Sequence, residues 1–194
     1  MAGRPKIFDE KVAVAKATEV FRTKGYDTAS AEELLSAMGI GKGSFYLAFK
    51  GGKEELYLRS IKQFAENFNQ KMEQAIENSE DQIEFIRQFF LRLAEATDCD
   101  IKRGCYLGNA LVQLSEKDDE IKKITAEILK GLQKTFAKAI KKACENGQIK
   151  TQEDSEMLAW HLTNLWNGIH VTRRMESSPE ILRSLIEMNL RMLG

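Results

Sequence analysis

Proline is scarce in this chain. The two present, Pro5 and Pro179, leave everything from residue 6 to residue 178 without that helix breaker. Cysteine is nearly as rare: Cys99, Cys105 and Cys144 are odd in number and lack a C-x-x-C spacing, which argues against a disulfide framework or a zinc site. The two histidines, His161 and His170, are nine residues apart and fall on different faces of a helix, so no helical metal pair is available. No apolar run approaches the roughly 20 residues a membrane span needs, and no signal peptide precedes the first charged residues. These absences predict a soluble, cytoplasmic protein with no metal, no cofactor and no membrane partner.

What remains is rich in Ala, Leu, Glu, Lys and Gln, the composition of an all-α protein. Net charge is zero, but residues 1–53 carry nine Lys or Arg against six Asp or Glu, a net of +3 on the N-terminal part. Solvated helix faces account for most of this mild asymmetry, which also agrees with a basic N-terminal module on an acidic body.

The most informative stretch is residues 30–50, SAEELLSAMGIGKGSFYLAFK. Ser30 and Glu33 have capping-box spacing and open a helix whose apolar positions are Leu34, Leu35 and Met38. Gly39 supplies the positive φ that ends it. A second short helix follows from Lys42 to Phe49, with Phe45 and Phe49 inward at i, i+4. Its other edge presents Lys42, Ser44, Tyr46, Leu47 and Lys50, residue types that seek phosphates or read bases. The spacing predicts a helix-turn-helix, with an ordinary helical hairpin as the alternative. A preceding helix from about Asp9 to Lys24 completes a three-helix unit, and the arm before it holds Arg4 and Lys6.

Beyond Lys53, Tyr57, Ile61, Phe64, Phe68, Met72 and Ile76 recur every three or four residues, predicting one long helix from Glu54 to about Asn78. Further helices are predicted over about 81–97, 104–115, 118–146 and 151–172, and from Ser178 with Pro179 at its first position. That makes about nine helices in two domains: 1–53, which would bind DNA, and 54–194. The last two helices are apolar on more than one face. Either they sit deep in the monomer, or one stripe meets a second copy in a four-helix interface. The expected dimer contacts are Leu165, Ile169, Leu182, Leu185 and Ile186.

At this point the residues match a family. GRPKIFDE and then KATEVFRTKGYDTASAEELLSAMGIGKGSFYLAFKGGKEEL, within residues 3–56, resemble the N-terminal domain of the TetR/AcrR-type (tetracycline-repressor-like) bacterial regulators. RGCYLGNALVQLS, residues 103–115, is similar to a segment of one branch of them. The resemblance implies a homodimeric repressor on a palindromic double-stranded operator, released by a small-molecule inducer in a C-terminal helical ligand-binding and dimerisation domain. It places Lys42, Gly43, Ser44 and Tyr46 at DNA, with Lys53 on a phosphate. Gly41, Ala29 and Gly52 depart from the family's usual Ser or Thr, which would weaken phosphate anchoring modestly.

Phe64, Phe68, Phe90, Tyr106, Trp160 and Trp166 are candidates to line the inducer pocket, although aromatics at helical spacing are usually core. Cys105 follows Lys102, Arg103 and Gly104, where cations and a helix start would favour a thiolate. This suggests a redox- or electrophile-sensing repressor with Cys99 as resolving partner, against a plain packing role. A DNA-binding module without a ligand is the other alternative. No catalytic constellation is recognisable, so an enzyme is not expected.

Overall fold

The computed structural model describes residues 8–114 and 119–194, and among these the chain forms ten α-helices, a closing 3-10 turn and no strand. Arg4 and Lys6 lie outside the described residues, as does Asp118, the expected start of the second long helix.

Helix α1 (Glu10–Lys24) starts where the Asp9 carboxylate accepts the backbone N–H groups of Lys11 and Val12. It buries Ala13, Val14, Ala17 and Phe21. Helix α2 (Ala31–Met38) opens on the Ser30–Glu33 capping box and stops at Gly39, whose φ of 70° only a residue without Cβ adopts cheaply. Helix α3 (Lys42–Ala48) turns Phe45 inward beside Phe49, with ring centroids 5.3 Å apart. Both rings join a core with Phe21, Leu34, Leu56 and Tyr57. Tyr57 comes from α4 (Gly52–Glu77), so the long helix is part of the small domain's core before it enters the larger one.

The larger body contains α5 (Gln82–Ala94), α6 (Asp98–Arg103), α7 (Tyr106–Leu114), α8 (Asp119–Glu145), α9 (Ser155–Met175) and α10 (Pro179–Leu190), then the 3-10 turn Arg191–Leu193. Helices α8 and α9 pack extensively on each other, α4 lies on α8, and α10 lies on α5. Between them Ile86, Phe90, Leu132, Phe136, Ile140 and Leu162 form a closed core.

Two boundaries differ from the sequence expectation for local reasons. The helix expected to reach residue 97 ends at Ala94, because Thr97 forms its own capping box with Asp100 and starts α6, the tenth helix. The cap of α9 is Asp154, which accepts from Glu156 and Met157, while Thr151 serves only the N–H of Glu153.

The expected dimer contacts need correction. Leu165, Ile169, Leu182 and Ile186 are buried within the single chain, where α8 and α5 cover them, so they have almost no area left to bury against a partner. Leu185 is half-buried. The opposite stripe is the exposed one: Met157, Trp160, Val171 and Met175 on α9, with Ile181 and Met188 on α10 and Met192 in the closing 3-10 turn.

Candidate DNA interface and effector cavity

The buried positions of α3 fix which side of it faces out. With Phe45, Ala48 and Phe49 inward, Lys42, Gly43, Ser44, Tyr46, Leu47 and Lys50 all lie exposed. Leu47 is 71% exposed, a large apolar side chain with no cover in its own chain. Tyr46 stands edge-on against Phe45 at 5.1 Å, which orients its ring without burying it. Between α2 and α3 runs a groove of about 680 Å³, lined by Glu32, Leu35, Gly39, Lys42, Tyr46 and Lys53 among others. Lys53 is half-buried at the start of α4, its Nζ 4.8 Å from the Tyr26 ring centroid and 3.3 Å from the Asp27 carbonyl. These two contacts hold the amine in place. Glu33 fixes the entry of α2: hydrogen bonds from Lys24 and then Ser30 hold its carboxyl down at about 2.

A second cavity, of about 540 Å³, lies in the larger body. Its apolar wall comprises Phe64 and Phe68 from α4, Tyr106 and Leu107 from α7, Leu132 from α8 and Trp166 from α9. Phe68 and Trp166 lie 5.7 Å apart, and Phe64 meets Tyr106 edge-on at 5.3 Å. Its polar wall includes Arg22, Arg92, Arg103, Asp100, His170 and Arg173. Four of the six expected pocket aromatics, Phe64, Phe68, Tyr106 and Trp166, thus line one space. The other two do not. Phe90 sits fully buried against Phe89 and Phe136, and Trp160 is nearly half exposed on the far stripe of α9.

Sequence reasoning missed the polar wall. Arg173 is 3% exposed and His170 is 8% exposed, and Arg173 lies just past the helix end expected at residue 172. The available signal was register: His170 follows Trp166 by four residues and Arg173 follows His170 by three, which puts all three on one face. Burial, and then the neighbouring Arg173 and Arg174, push the His170 imidazole down to about 3, so it is neutral.

Cys105 also borders the cavity, but not as an activated thiolate. It precedes α7, is buried, and that burial pushes its thiol up, outweighing the Gly108 N–H that donates to Sγ at 3.3 Å. Desolvation penalises the charged form, and the cation that acts against it is Arg173 rather than the expected Lys102 and Arg103. Cys99, the expected resolving partner, is exposed on α6. Among the described residues no cluster of His, Cys, Asp or Glu could hold a metal ion, and no helix is long and apolar enough to cross a membrane.

A compact helix-turn-helix unit carried on a long helix into a cavity-bearing helical body defines a class of DNA-binding transcription regulators. Residues 13–59 match the bacterial regulatory proteins of the tetR family, and residues 79–188, more than half of the chain, match the tetracyclin repressor-like C-terminal domain. The chain belongs to the TetR family of transcriptional regulators and has the DNA-binding repressor fold of that family. It is 26% identical over 193 residues to the uncharacterized HTH-type transcriptional regulator YezE of Bacillus subtilis, covering 98% of this chain and 99% of that one. It is 27% identical over 170 residues to the HTH-type transcriptional repressor DhaR of a Mycobacterium species, covering 87% and 84% respectively. In structure it is similar to the TetR family regulator CifR, as a cysteine mutant complexed with 26-bp double-strand operator DNA. That likeness has a TM-score of 0.81 at 22% identity, over 98% of this chain and 100% of that one.

Proposed function

We propose that this protein is a ligand-responsive repressor that binds a palindromic operator as a homodimer and leaves it when a small molecule enters the 540 Å³ cavity. The observation that carries this reading is the composition of the cavity wall. Arg22 comes from α1 of the DNA-binding unit and Phe64 and Phe68 from the long helix, so an occupant touches the part that must move. The volume lies within the range of small-molecule sites. Lys42, Gly43, Ser44, Tyr46, Leu47, Lys50 and Lys53 form the operator surface, joined by Arg4 and Lys6 of the N-terminal arm. Regulators of this family are generally non-enzymatic, and no catalytic role is proposed.

The exposed stripe of α9 and α10 supports the dimer. It contains Gly168, where an added Cβ would meet nothing among the described residues within 4 Å. A glycine there costs helix stability without any internal packing reason, and fits close approach of a second helix. We assign the interface to Trp160, Val171, Met175, Ile181 and Met188, with half-buried Leu185 at its edge.

The test is anisotropy on operators selected from random duplexes. Two-fold symmetric sites bound with steep salt dependence are expected. Selection of asymmetric sites by a monomer, or operator binding that no bound small molecule alters, overturns the reading.

A further inference from the structure

Four buried side-chain nitrogens lack a hydrogen-bond partner among the described residues: Nε of Arg103, Nδ1 and Nε2 of His170, and Nε of Arg173. All of them belong to residues that border the 540 Å³ cavity. Arg22 pairs with Glu19 at 2.8 Å and lies over the Phe64 ring, and Arg92 donates to the Gln88 carbonyl. Glu19 also reaches one Nη of Arg103, at 3.7 Å, which leaves the Arg103 Nε without a partner. The nearby carboxylates are also engaged: Glu95 pairs with Arg183, and Asp100 accepts the Thr97 hydroxyl at 2.6 Å. Arg173 has no ion pair among the described residues; one Nη donates to the Asp100 backbone carbonyl at 2.9 Å, and the guanidinium is otherwise enclosed.

A buried guanidinium without a counter-anion is costly, and so is a buried donor without an acceptor. Within the chain the Asp100 carboxylate offsets part of the first cost, and nothing among the described residues relieves the second. Both are relieved by one occupant that brings a negative charge and acceptor oxygens. The guanidinium fork matches a carboxylate, and neutral His170 supplies one N–H more. The remainder of the wall is aromatic and apolar, which suits a hydrophobic body. The Asp100 carboxylate, close enough to interact electrostatically with Arg173, disfavours a second negative charge such as a phosphate monoester carries.

We propose that the cavity takes the monoanion of a small organic acid, its carboxylate on Arg173 and Arg103 with a hydrogen bond from His170, and its apolar body against Phe64, Phe68 and Trp166. This assigns a chemical class to the effector and rests on the reading of the cavity as the effector site.

The experiment uses the full chain and three acids, benzoate, 2-naphthoate and octanoate, each beside its uncharged primary amide. Binding is read by calorimetry and by Trp fluorescence. At least one carboxylate is expected to bind about tenfold or more tightly than its amide. Arg173→Met, of similar volume, removes that preference and leaves the amide's affinity unchanged. Arg103→Gln, at the less buried guanidinium, lowers the preference severalfold and serves if Arg173→Met fails to fold. Equal affinity of acid and amide in every pair overturns the proposal, as does binding by none of the six, or a preference that survives both substitutions. Release of selected operator is scored separately. A charge-selective site that leaves operator occupancy unchanged upholds the anion site and overturns the ligand switch. An amide that binds and releases operator as well as its acid does the reverse.

Discussion

The Tyr106 hydroxyl lies 2.6 Å from Ser60 Oγ, joining α7 in the cavity wall to α4, the helix rooted in the DNA-binding core. Ser60 spends its own proton on the Tyr57 carbonyl at 2.6 Å, which makes Tyr106 the donor. Burial pushes the Tyr106 phenol up, so that proton stays in place at any physiological pH. The ring meets Tyr57 edge-on at 5.8 Å.

Tyr106→Phe keeps the ring packing and deletes one buried neutral hydrogen bond. Stability should fall by about 1 kcal/mol. Because the tie spans the two functional ends, effector affinity measured with and without operator should also converge. Denaturant melts and paired titrations check the two effects separately.

On α3, Leu47 and Ser44 should govern sequence preference, whereas Lys42 of α3 and Lys53 at the start of α4 should anchor phosphates. Leu47→Ala is expected to change which operators are selected, because a side chain that cannot hydrogen-bond reads a base chiefly through a thymine methyl. Affinity for random duplex and thermal stability should not move. Lys53→Ala should weaken all duplexes and reduce the salt slope by about one.

Val171→Glu and Met188→Glu place a charge on the exposed stripe and should yield folded monomers with lost operator affinity. Ile169→Glu puts the same charge in the closed core and should unfold the chain, at a cost of several kcal/mol. Sedimentation and circular dichroism distinguish the two outcomes. An intact dimer in both surface variants would place the interface elsewhere.

His170 predicts an acid sensitivity. Its imidazole is held near 3 when folded and near 6.5 when unfolded, so between these values the unfolded chain binds more protons. Stability should be full above about pH 6.5 and decline as pH falls towards 3, with a slope of up to about 1.4 kcal/mol per pH unit from this group. His170→Phe should flatten that decline over pH 6.5 to 5 in denaturant melts, where other groups titrate little.

Local signals were legible in the residues themselves. The Ser30–Glu33 box, the left-handed Gly39 and the Ser178–Pro179 start all act within a few residues, so sequence spacing suffices to place them. Helix α6 carried a capping signal too, Thr97 with Asp100, but six residues are too few to show a periodicity. Which side of α9 stays exposed was hidden for a different reason. Helix α9 is apolar both through Leu165 and Ile169 and through Trp160 and Val171, and only the positions of α5 and α8 decide which of them faces inward. The same holds for the cavity. Arg173 and Arg174 are chemically equivalent in the sequence, and one step of helical rotation buries the first and exposes the second.

Glu19 of α1 faces two arginines: Arg22 on its own helix and Arg103 at the end of α6, at 3.7 Å. Helices α1 and α6 touch there, so the long helix is not the sole connection between the halves. The seam works like a second hinge-pin beside the lever. A chain with this seam cut, as in Glu19→Ala with Arg103→Ala, should keep a serviceable operator surface. Its two halves would swivel on α4 alone, and news of an occupied cavity would arrive blurred.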